Sequence, residues 1–292
     1  MSRFRWLLLP AALALTACAT FREQAGKDVL WRVRTGHSTL YLLGSVHVLP
    51  RNAYPLRPAL EHAFSNSERL VFEINIGSVT KSSLRAEASR AGFYPPGQSL
   101  SKNVSPQTLL LLREVLPSFG LTLKQVNRLR PSFLAQMLET RILAQAGYSP
   151  DYGVDVYFYH RAVLARKPVM GLETLRDQTN LFQGLTPSQD EQYLVRTIRA
   201  LPYYPALVSS MVEAWRNGDI AQLDRYINQG LKMNPWEHQT LLVRRNSRWL
   251  PQIEHFAQER HNYLIVVGAG HLIGNEGLVA QLKRAGYAVE QL

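Results

Sequence analysis

Cysteine is nearly absent from this sequence, which has one, Cys18, among 292 residues. A single thiol cannot close a disulfide within the chain, so the fold does not depend on a disulfide framework. Two hydrolase signatures are missing as well. There is no His-Glu-x-x-His, the motif of the common zinc peptidases, and no Gly-x-Ser-x-Gly, the nucleophile elbow of serine hydrolases. These absences exclude the standard form of both enzyme classes.

Acidic residues are scarce relative to basic ones, with 22 Asp and Glu against 33 Lys and Arg and a formal net charge of +11. The positive charges are scattered arginines rather than a Lys/Arg block, and no nucleic-acid-binding motif is present. We therefore expect no nucleic-acid partner. A basic surface of this kind favours contact with anionic lipid or with envelope polymers.

The apolar run at the N-terminus is too short for a stable membrane span, and Met1–Ala17 has the pattern of a secretory signal. The sequence LTAC at Leu15–Cys18 resembles the bacterial lipoprotein box, in which the cysteine is acylated and becomes the mature N-terminus. The alternative is a plain signal peptide with an incidental cysteine. Ala19 follows the cysteine, which in such lipoproteins implies sorting to the outer membrane, facing the periplasm.

This pattern divides the chain into a signal peptide of residues 1–17, a polar tether of residues 18–28 and one domain of residues 29–292. On this prediction the lipid at Cys18 anchors the protein to the membrane, and no segment spans it.

Strand patterns lie at both ends of the predicted domain. Val29–Thr35 and Thr39–Leu43 predict a hairpin, and apolar runs beginning at Tyr263 and Tyr287 predict two further strands. Most of the chain between them has helical periodicity. We therefore predict an α/β fold, in the broad sense that includes α+β, with a central mixed sheet of N- and C-terminal strands and a large helical middle. Ser78–Gln98 predicts a helix and a loop over the site.

Two apolar strand patterns are each followed by Gly-x-x-His: LYLLGSVH at Leu40–His47 and YLIVVGAGH at Tyr263–His271. Ligands bind beyond the carboxyl ends of strands in open α/β sheets. If both strands belong to one sheet, His47 and His271 face one pocket. The alternative is a pair of turn histidines that cap their strands.

Polar residues at other element ends are further candidates. Glu73 and Glu173 each end a short apolar strand pattern, and a buried carboxylate requires a partner. Arg245 and Asn246 lie in the first half of a long predicted helix. The alternatives are solvated carboxylates at strand or helix ends and a solvated helix face. Asp155 lies in a first helical turn, where the helix dipole alone would explain an acid.

Six sequence blocks together resemble the TraB/GumN (TraB–PrgY–GumN) family, which is related to the Tiki proteases and more distantly to erythromycin esterases. The resemblance covers essentially the whole mature chain, and the C-terminal block is long and specific. The blocks are LLGSVHVLP at Leu42–Pro50, LVFEIN at Leu70–Asn75, YGVDVYFYHRA at Tyr152–Ala162, KPVMGLET at Lys167–Thr174, RRNSRW at Arg244–Trp249 and VVGAGHLIGNEGLVAQLKRAGYAVEQL at Val266–Leu292.

The resemblance implies roles for the residues that match the family motifs. The two motif histidines fall on His47 and His271, and the motif acids fall on Glu73 and Glu173. The motif Arg-Asn pair falls on Arg245 and Asn246. In the Tiki branch such residues resemble a site for a divalent metal, here manganese, cobalt or zinc, with His47, His271, Glu73 and Glu173 as ligands. In the esterase branch a similar His/Glu set is thought to activate water without metal.

Both alternatives are chemically coherent. Imidazoles and carboxylates suit a catalytic first-row metal that lowers the pKa of a bound water. Without metal, a histidine near a glutamate can take the proton of water. Arg245 could hold an oxyanion or a substrate carboxylate. We therefore predict a lipid-anchored envelope hydrolase, metal-dependent and peptidase-like, that acts on a peptide or an envelope polymer. The alternative is a non-catalytic binding protein that uses the same cleft. A third hypothesis is a surface scaffold whose histidines only cap strands.

Overall fold

The structure is a computed structural model that describes residues 26–292. The predicted signal peptide, the lipidation site Cys18 and the tether up to residue 25 lie outside the described residues and stay predictions. Within residues 26–292 no helix combines the length and the hydropathy that crossing a membrane requires.

A mixed sheet of six strands forms the centre of the described chain, in the order β6-β4-β7-β2-β1-β8. The four strands from β6 to β2 are parallel, while β1 and β8 are antiparallel additions at one edge. This confirms the predicted α/β class and the joining of N- and C-terminal strands in one sheet. Its strands are β1 (Leu30–Arg34), β2 (Thr39–Ser45), β4 (Arg69–Ile74), β6 (Val169–Glu173), β7 (Tyr263–Gly268) and β8 (Val289–Gln291). Two short strands, β3 (Leu49–Pro50) and β5 (Tyr148–Ser149), pair separately.

The central strands form because their side chains are apolar on both faces. Leu40, Leu42 and Leu43 of β2 are fully buried, as are most residues of β7. Continuous apolar runs of this kind are typical of parallel strands that are covered on both sides. Since β6, β4, β7 and β2 run in one direction, their carboxyl ends meet at one pole of the sheet.

Helices make up most of the rest of the described chain. They are α1 (Pro58–Ser65), α2 (Lys81–Gly92), α3 (Leu100–Asn103), α4 (Pro106–Val115), α5 (Leu123–Val126), α6 (Pro131–Gln145), α7 (Val154–Leu164), α8 (Leu175–Asn180), α9 (Pro187–Ala200), α10 (Tyr204–Arg216), α11 (Ile220–Asp224), α12 (Gly230–Lys232), α13 (Pro235–His238), α14 (Arg244–Gln258), α15 (Ala269–Leu272) and α16 (Leu278–Arg284).

Several boundaries follow from local chemistry. The Ser105 side chain accepts a hydrogen bond from the Thr108 amide, and Pro106 occupies the first turn of α4, two features that favour a helix start. By contrast, the helical periodicity of Ile220–Gln229 and Gln239–Gln258 does not give regular helices over their whole length. A π-helical turn occupies Arg225–Gln229 and another occupies Gln239–Val243.

The described residues contain two hydrophobic cores. The larger surrounds the sheet and includes Trp249 and Tyr263, both fully buried. The smaller lies among helices and is centred on Leu112, Leu134 and Leu194 of α4, α6 and α9. Helix α6 contributes to both, because Leu143 belongs to the sheet core.

Candidate active site

Glu73 lies at the centre of a polar cluster at the carboxyl pole of the sheet. Its Oε1 atom is 3.7 Å from Nε2 of His47 and 3.8 Å from Nε2 of His271. The amide of Gly268, the last residue of β7, donates a hydrogen bond of 2.8 Å to the same oxygen. The sheet thus brings together both Gly-x-x-His histidines and the acid of β4, although they are far apart in sequence.

The Arg245 guanidinium joins the remaining predicted residues to this centre. It donates to Glu73 Oε2, to Glu173 Oε1 at 2.7 Å and to Nε2 of His271 at 2.9 Å. The central carbon of the guanidinium, Cζ, lies 4.5 Å from the centre of the Trp249 ring. Arg245 and Asn246 are 6% and 1% exposed, so the alternative of a solvated helix face is wrong for them.

The two carboxylates are likewise not solvated strand ends. Glu73 is 9% exposed, and the side chain of Glu173 is 3% exposed. Burial acts to raise the pKa of Glu73, but Arg245 and the Gly268 amide hold that pKa well below its usual range. Burial also opposes the charge of Arg245, and the two glutamates nevertheless raise its pKa. The cluster therefore consists of two buried glutamates that share the guanidinium of Arg245.

His271 is held in one neutral form. Since a guanidinium only donates, Nε2 of His271 accepts a hydrogen bond from Arg245, and Nδ1 donates one to Oδ1 of Asn246 at 2.7 Å. The Asn246 amide donates in turn to the backbone oxygens of His271 and Glu276. Burial lowers the pKa of His271 to about 3, with Arg245 acting in the same direction. Asn246 is thus a positioning residue for this imidazole.

His47 is the exposed member of the cluster, with 56% of its side chain accessible, and it has a partner that the sequence did not reveal. Oδ1 of Asp155, in the first turn of α7, is 3.3 Å from Nδ1 of His47. The protein atoms around the ring oppose the charge of His47, but the Asp155 carboxylate 3.3 Å from Nδ1 and the nearby Glu73 raise its pKa to about 9. The helix dipole alone is therefore not a sufficient explanation for Asp155. The signal that could have found it is its place in the YGVDVYFYH block.

Two cavities meet at His47 and Glu73. The larger, which we call the apolar cavity, has a volume of about 470 Å³ and is also lined by Arg245 and His271. The smaller, the side cavity, has about 270 Å³ and is also lined by Asp155. A wider groove of about 660 Å³ lies along the outer face of α14 but is not lined by any of these residues. An extended substrate could pass from one cavity to the other across the cluster.

The prediction that Ser78–Gln98 places a loop over the site is wrong for the described residues. No residue of Ser78–Gln98 lines the apolar cavity or the side cavity. Helix α2 is tied instead to α8, because Glu87 accepts hydrogen bonds from Arg176 and Thr179.

The donor atoms do not fit a metal ion as they are arranged. Within residues 26–292, no group of three or more His, Cys, Asp or Glu side chains has an arrangement suited to holding one. The physical reason is Arg245, which takes the Nε2 lone pair of His271 and binds oxygens of Glu73 and Glu173. Three of the four predicted ligands are thus already engaged by hydrogen bonds from Arg245.

Comparison with known proteins finds distant relatives that align with most of this chain. The chain is 24% identical to uncharacterized protein YbaP of Escherichia coli (strain K12) over 249 residues, which is 85% of this chain and 89% of YbaP. It is 23% identical to metalloprotease TIKI1 of Danio rerio, over 94% of this chain and 65% of that protein. It is 22% identical to metalloprotease TIKI2 of Xenopus tropicalis, over 89% of this chain and 59% of that protein. No solved structure matches.

The curated relatives thus include proteins named as metalloproteases, which are distant and are longer than this chain. The family profile described as TraB/PrgY/gumN matches residues 29–291, nearly the whole of the described structure. The chain therefore belongs to the TraB/PrgY/gumN family.

Proposed function

We propose that this protein is a hydrolase of the cell envelope, anchored by lipid at Cys18 and facing the periplasm from the outer membrane, that cleaves a peptide or envelope polymer. The observation that carries the proposal is the convergence of His47, His271 and Glu73 where two cavities meet. A hydrolase requires a bound water, a proton acceptor and a proton donor at one point of a cleft. The pole of the sheet offers groups suited to each role.

Glu73 is positioned to orient the attacking water and to take up its proton transiently during the attack. Its Oε2 is held by Arg245 and by Gln178, which donates at 3.2 Å, while Oε1 accepts the Gly268 amide and faces the two histidines. A water beside Oε1 would attack the substrate carbonyl as its proton passes to Glu73. His47, charged at neutral pH and oriented by Asp155, would give its Nε2 proton to the leaving amine as the C–N bond breaks. The proton on Glu73 then returns to His47.

The absence of a side chain at Gly268 leaves space for this water. A Cβ atom built there would lie 3.2 Å from both Glu73 Oε1 and His47 Nε2. Gly268→Ala should therefore displace the water while the strand is retained. Gly36→Ala is the matched control, because a Cβ at Gly36 meets nothing within 4 Å.

The test is hydrolysis of a peptide library by the domain and its variants. We expect His47→Ala, Glu73→Gln and Gly268→Ala each to lower kcat by about 100-fold or more, and Gly36→Ala to leave it unchanged. Full activity of His47→Ala would contradict the proposal. Binding of peptides without any cleavage would favour the alternative of a non-catalytic envelope binding protein.

The names of the metalloprotease relatives favour a second candidate, a divalent metal in the same place. It would require the Arg245–His271 hydrogen bond to break, which would free Nε2 of His271 to act with His47 and Glu73. Elemental analysis of chelator-free protein decides between the candidates, with the His47→Ala/His271→Ala double variant alongside. About one metal per chain that the double variant lacks would establish the metal-dependent form. Activity unchanged by chelator and by added manganese, cobalt or zinc would establish the metal-free form.

A further inference from the structure

The apolar cavity contains an acid that the proposed mechanism does not use. Glu139, on α6, lines this cavity together with the reactive cluster. Thr197 donates to its Oε1 at 3.3 Å. Among residues 26–292 its Oε2 has no hydrogen-bond partner, and no Lys, Arg or His lies within ion-pair distance of it. One carboxylate oxygen of Glu139 is therefore available to a molecule in the cavity.

The other charges at the cavity are compensated by protein groups. Arg245 neutralises Glu73, and Asp155 faces His47. Arg196, which lies over the Tyr193 ring, forms its ion pair with Glu237 and not with Glu139. Glu139 is thus the lining carboxylate that the described residues leave without a cation.

Burial among aromatic rings explains its electrostatic state. Burial raises the pKa of Glu139 to about 7, while the Thr197 hydrogen bond acts in the opposite direction. Tyr193 and Tyr204 lie close enough for Glu139 to raise the pKa of both phenols. A half-buried carboxyl whose pKa is raised in this way gains its charge fully when a cation arrives beside it.

The walls that complete the cavity with Glu139 and the cluster are mainly aliphatic. They fit a hydrocarbon stem and offer few polar partners along its length. The apolar wall residues include Leu143, Val208, Met211, Leu223 and Ile227.

We propose that Glu139 is a specificity-determining residue that binds the ammonium or guanidinium group of a basic substrate side chain. The aliphatic stem of a lysine or arginine would lie along the apolar walls, and the bond to be cleaved would lie at His47 and Glu73. This inference rests on the proposed function and adds the substrate class. Glu139 touches the substrate away from the reacting atoms, so its effect is on substrate choice.

The first test measures the ratio of kcat/KM for a lysyl peptide over its norleucyl analogue, which has a similar stem without the charge. We expect wild type to prefer the lysyl peptide and Glu139→Gln to lower the ratio by about 30-fold or more. Glu139→Lys should reverse the preference towards a glutamyl peptide. Glu114→Gln, an exposed acid on α4, is the matched control and should keep the wild-type ratio. Thermal unfolding confirms that each variant is folded.

A second measurement separates this inference from the proposed function. Binding of the intact lysyl and norleucyl peptides is compared in the His47→Ala background, with and without Glu139→Gln. A preference for the lysyl peptide that Glu139→Gln removes supports the inference, whether or not wild type cleaves any peptide. Cleavage or binding that shows no preference for the lysyl peptide, or a preference that survives Glu139→Gln, overturns the inference and leaves the hydrolase proposal standing.

Discussion

At the scale of single residues, Arg245 determines the state of the whole cluster. It is one buried cation between two buried carboxylates, and it also occupies the acceptor nitrogen of His271. Removing one partner from a buried ion pair is costly, because the other charge is left without compensation. The stability of the pole and the position of its catalytic groups are therefore linked through this side chain.

We predict that Arg245→Met destabilises the fold by about 3 kcal/mol or more at pH 7. Because Arg245 holds the pKa of Glu73 below its ordinary value of 4.5, its contribution is present above pH 4.5. That contribution is lost as the pH falls towards the folded-state pKa, so the difference from wild type should narrow in acid. Urea unfolding at pH 7 and pH 3.5 measures this. The neighbouring, exposed Arg244→Met is the control, and an equal effect of both variants would contradict the prediction.

A second prediction concerns the pair formed by Asp155 and His47. Asp155→Asn removes the carboxylate beside Nδ1, so the pKa of His47 should fall well below about 9. NMR titration of the His47 ring, with chelator present, measures the change. Asp151→Asn alters an exposed acid that directly precedes the same sequence block and should leave the titration of His47 unchanged. Matching titrations in both variants would show that Asp155 does not set the state of His47.

Sequence reasoning found the strand-end members of this cluster and missed others for a physical reason. His47, Glu73, Glu173 and His271 follow strands whose carboxyl ends share one pole, which strand patterns alone suggest. Asp155 and Glu139 belong to helices. Their approach to the site depends on how α7 and α6 pack against the sheet, and no local pattern encodes that.

At the scale of elements, the first glycine of each Gly-x-x-His motif permits a close approach. A Cβ on Gly44 would lie 3.1 Å from Cα of Ala269 in α15 and 2.6 Å from a methyl of Val29. Strand β2 therefore packs directly against the short helix that carries His271. Gly44 of the first Gly-x-x-His motif thus permits the contact that positions α15 and, with it, His271 of the second motif.

Gly44→Ala should accordingly destabilise the protein by about 2 kcal/mol, since the backbone of α15 cannot move as easily as a flexible side chain. Thermal unfolding measures the cost. The control is Gly36→Ala in the β1–β2 turn, where a Cβ meets nothing within 4 Å. Equal unfolding temperatures for the two variants would remove the packing argument.

The two π-helical turns are the element-scale features that the sequence did not predict. Helical periodicity tolerates one extra residue per turn over a short stretch, so the pattern predicts continuous helices there. In the structure, Ile227 of the first turn and Leu241 and Leu242 of the second line the apolar cavity. The second turn leads directly into Arg245. Such turns are frequent at functional sites because they redirect the side chains around them.

At the scale of the whole molecule, the two cores predict a division of stability. The helical core contains no strand of the central sheet, and α6 links it to the sheet core. Native-state hydrogen exchange should therefore show α4 and α9 opening at lower free energy than β2 and β7. Leu116→Ala, in the helical core, should accelerate exchange in α4 and α9 much more than in β2. Uniform protection across all four elements would indicate one cooperative unit.

The sequence allowed the α/β class of the fold to be predicted, but not the order of the strands within the sheet. Patterns at both chain ends predicted the strands, and their shared apolar character predicted one sheet. The order β6-β4-β7-β2 depends on which parallel neighbours pair across long connections. Four buried apolar strands of similar composition do not specify that choice locally.

The antiparallel pairing of β1 with β2 has a consequence for access to the cleft. It places Leu30 opposite Leu43, and the backbone of Val29 accepts a hydrogen bond from Gly44, so the chain enters the domain at the reactive pole. Nine residues lie between Cys18 and Asp28, and the ten Cα–Cα steps that join the two reach at most about 35 Å. On our proposal of a lipid at Cys18, the tether to the membrane therefore joins the domain at the pole that carries the candidate active site. Its substrates would then be those that thread into a thin layer above the bilayer, while bulky folded proteins would be kept out.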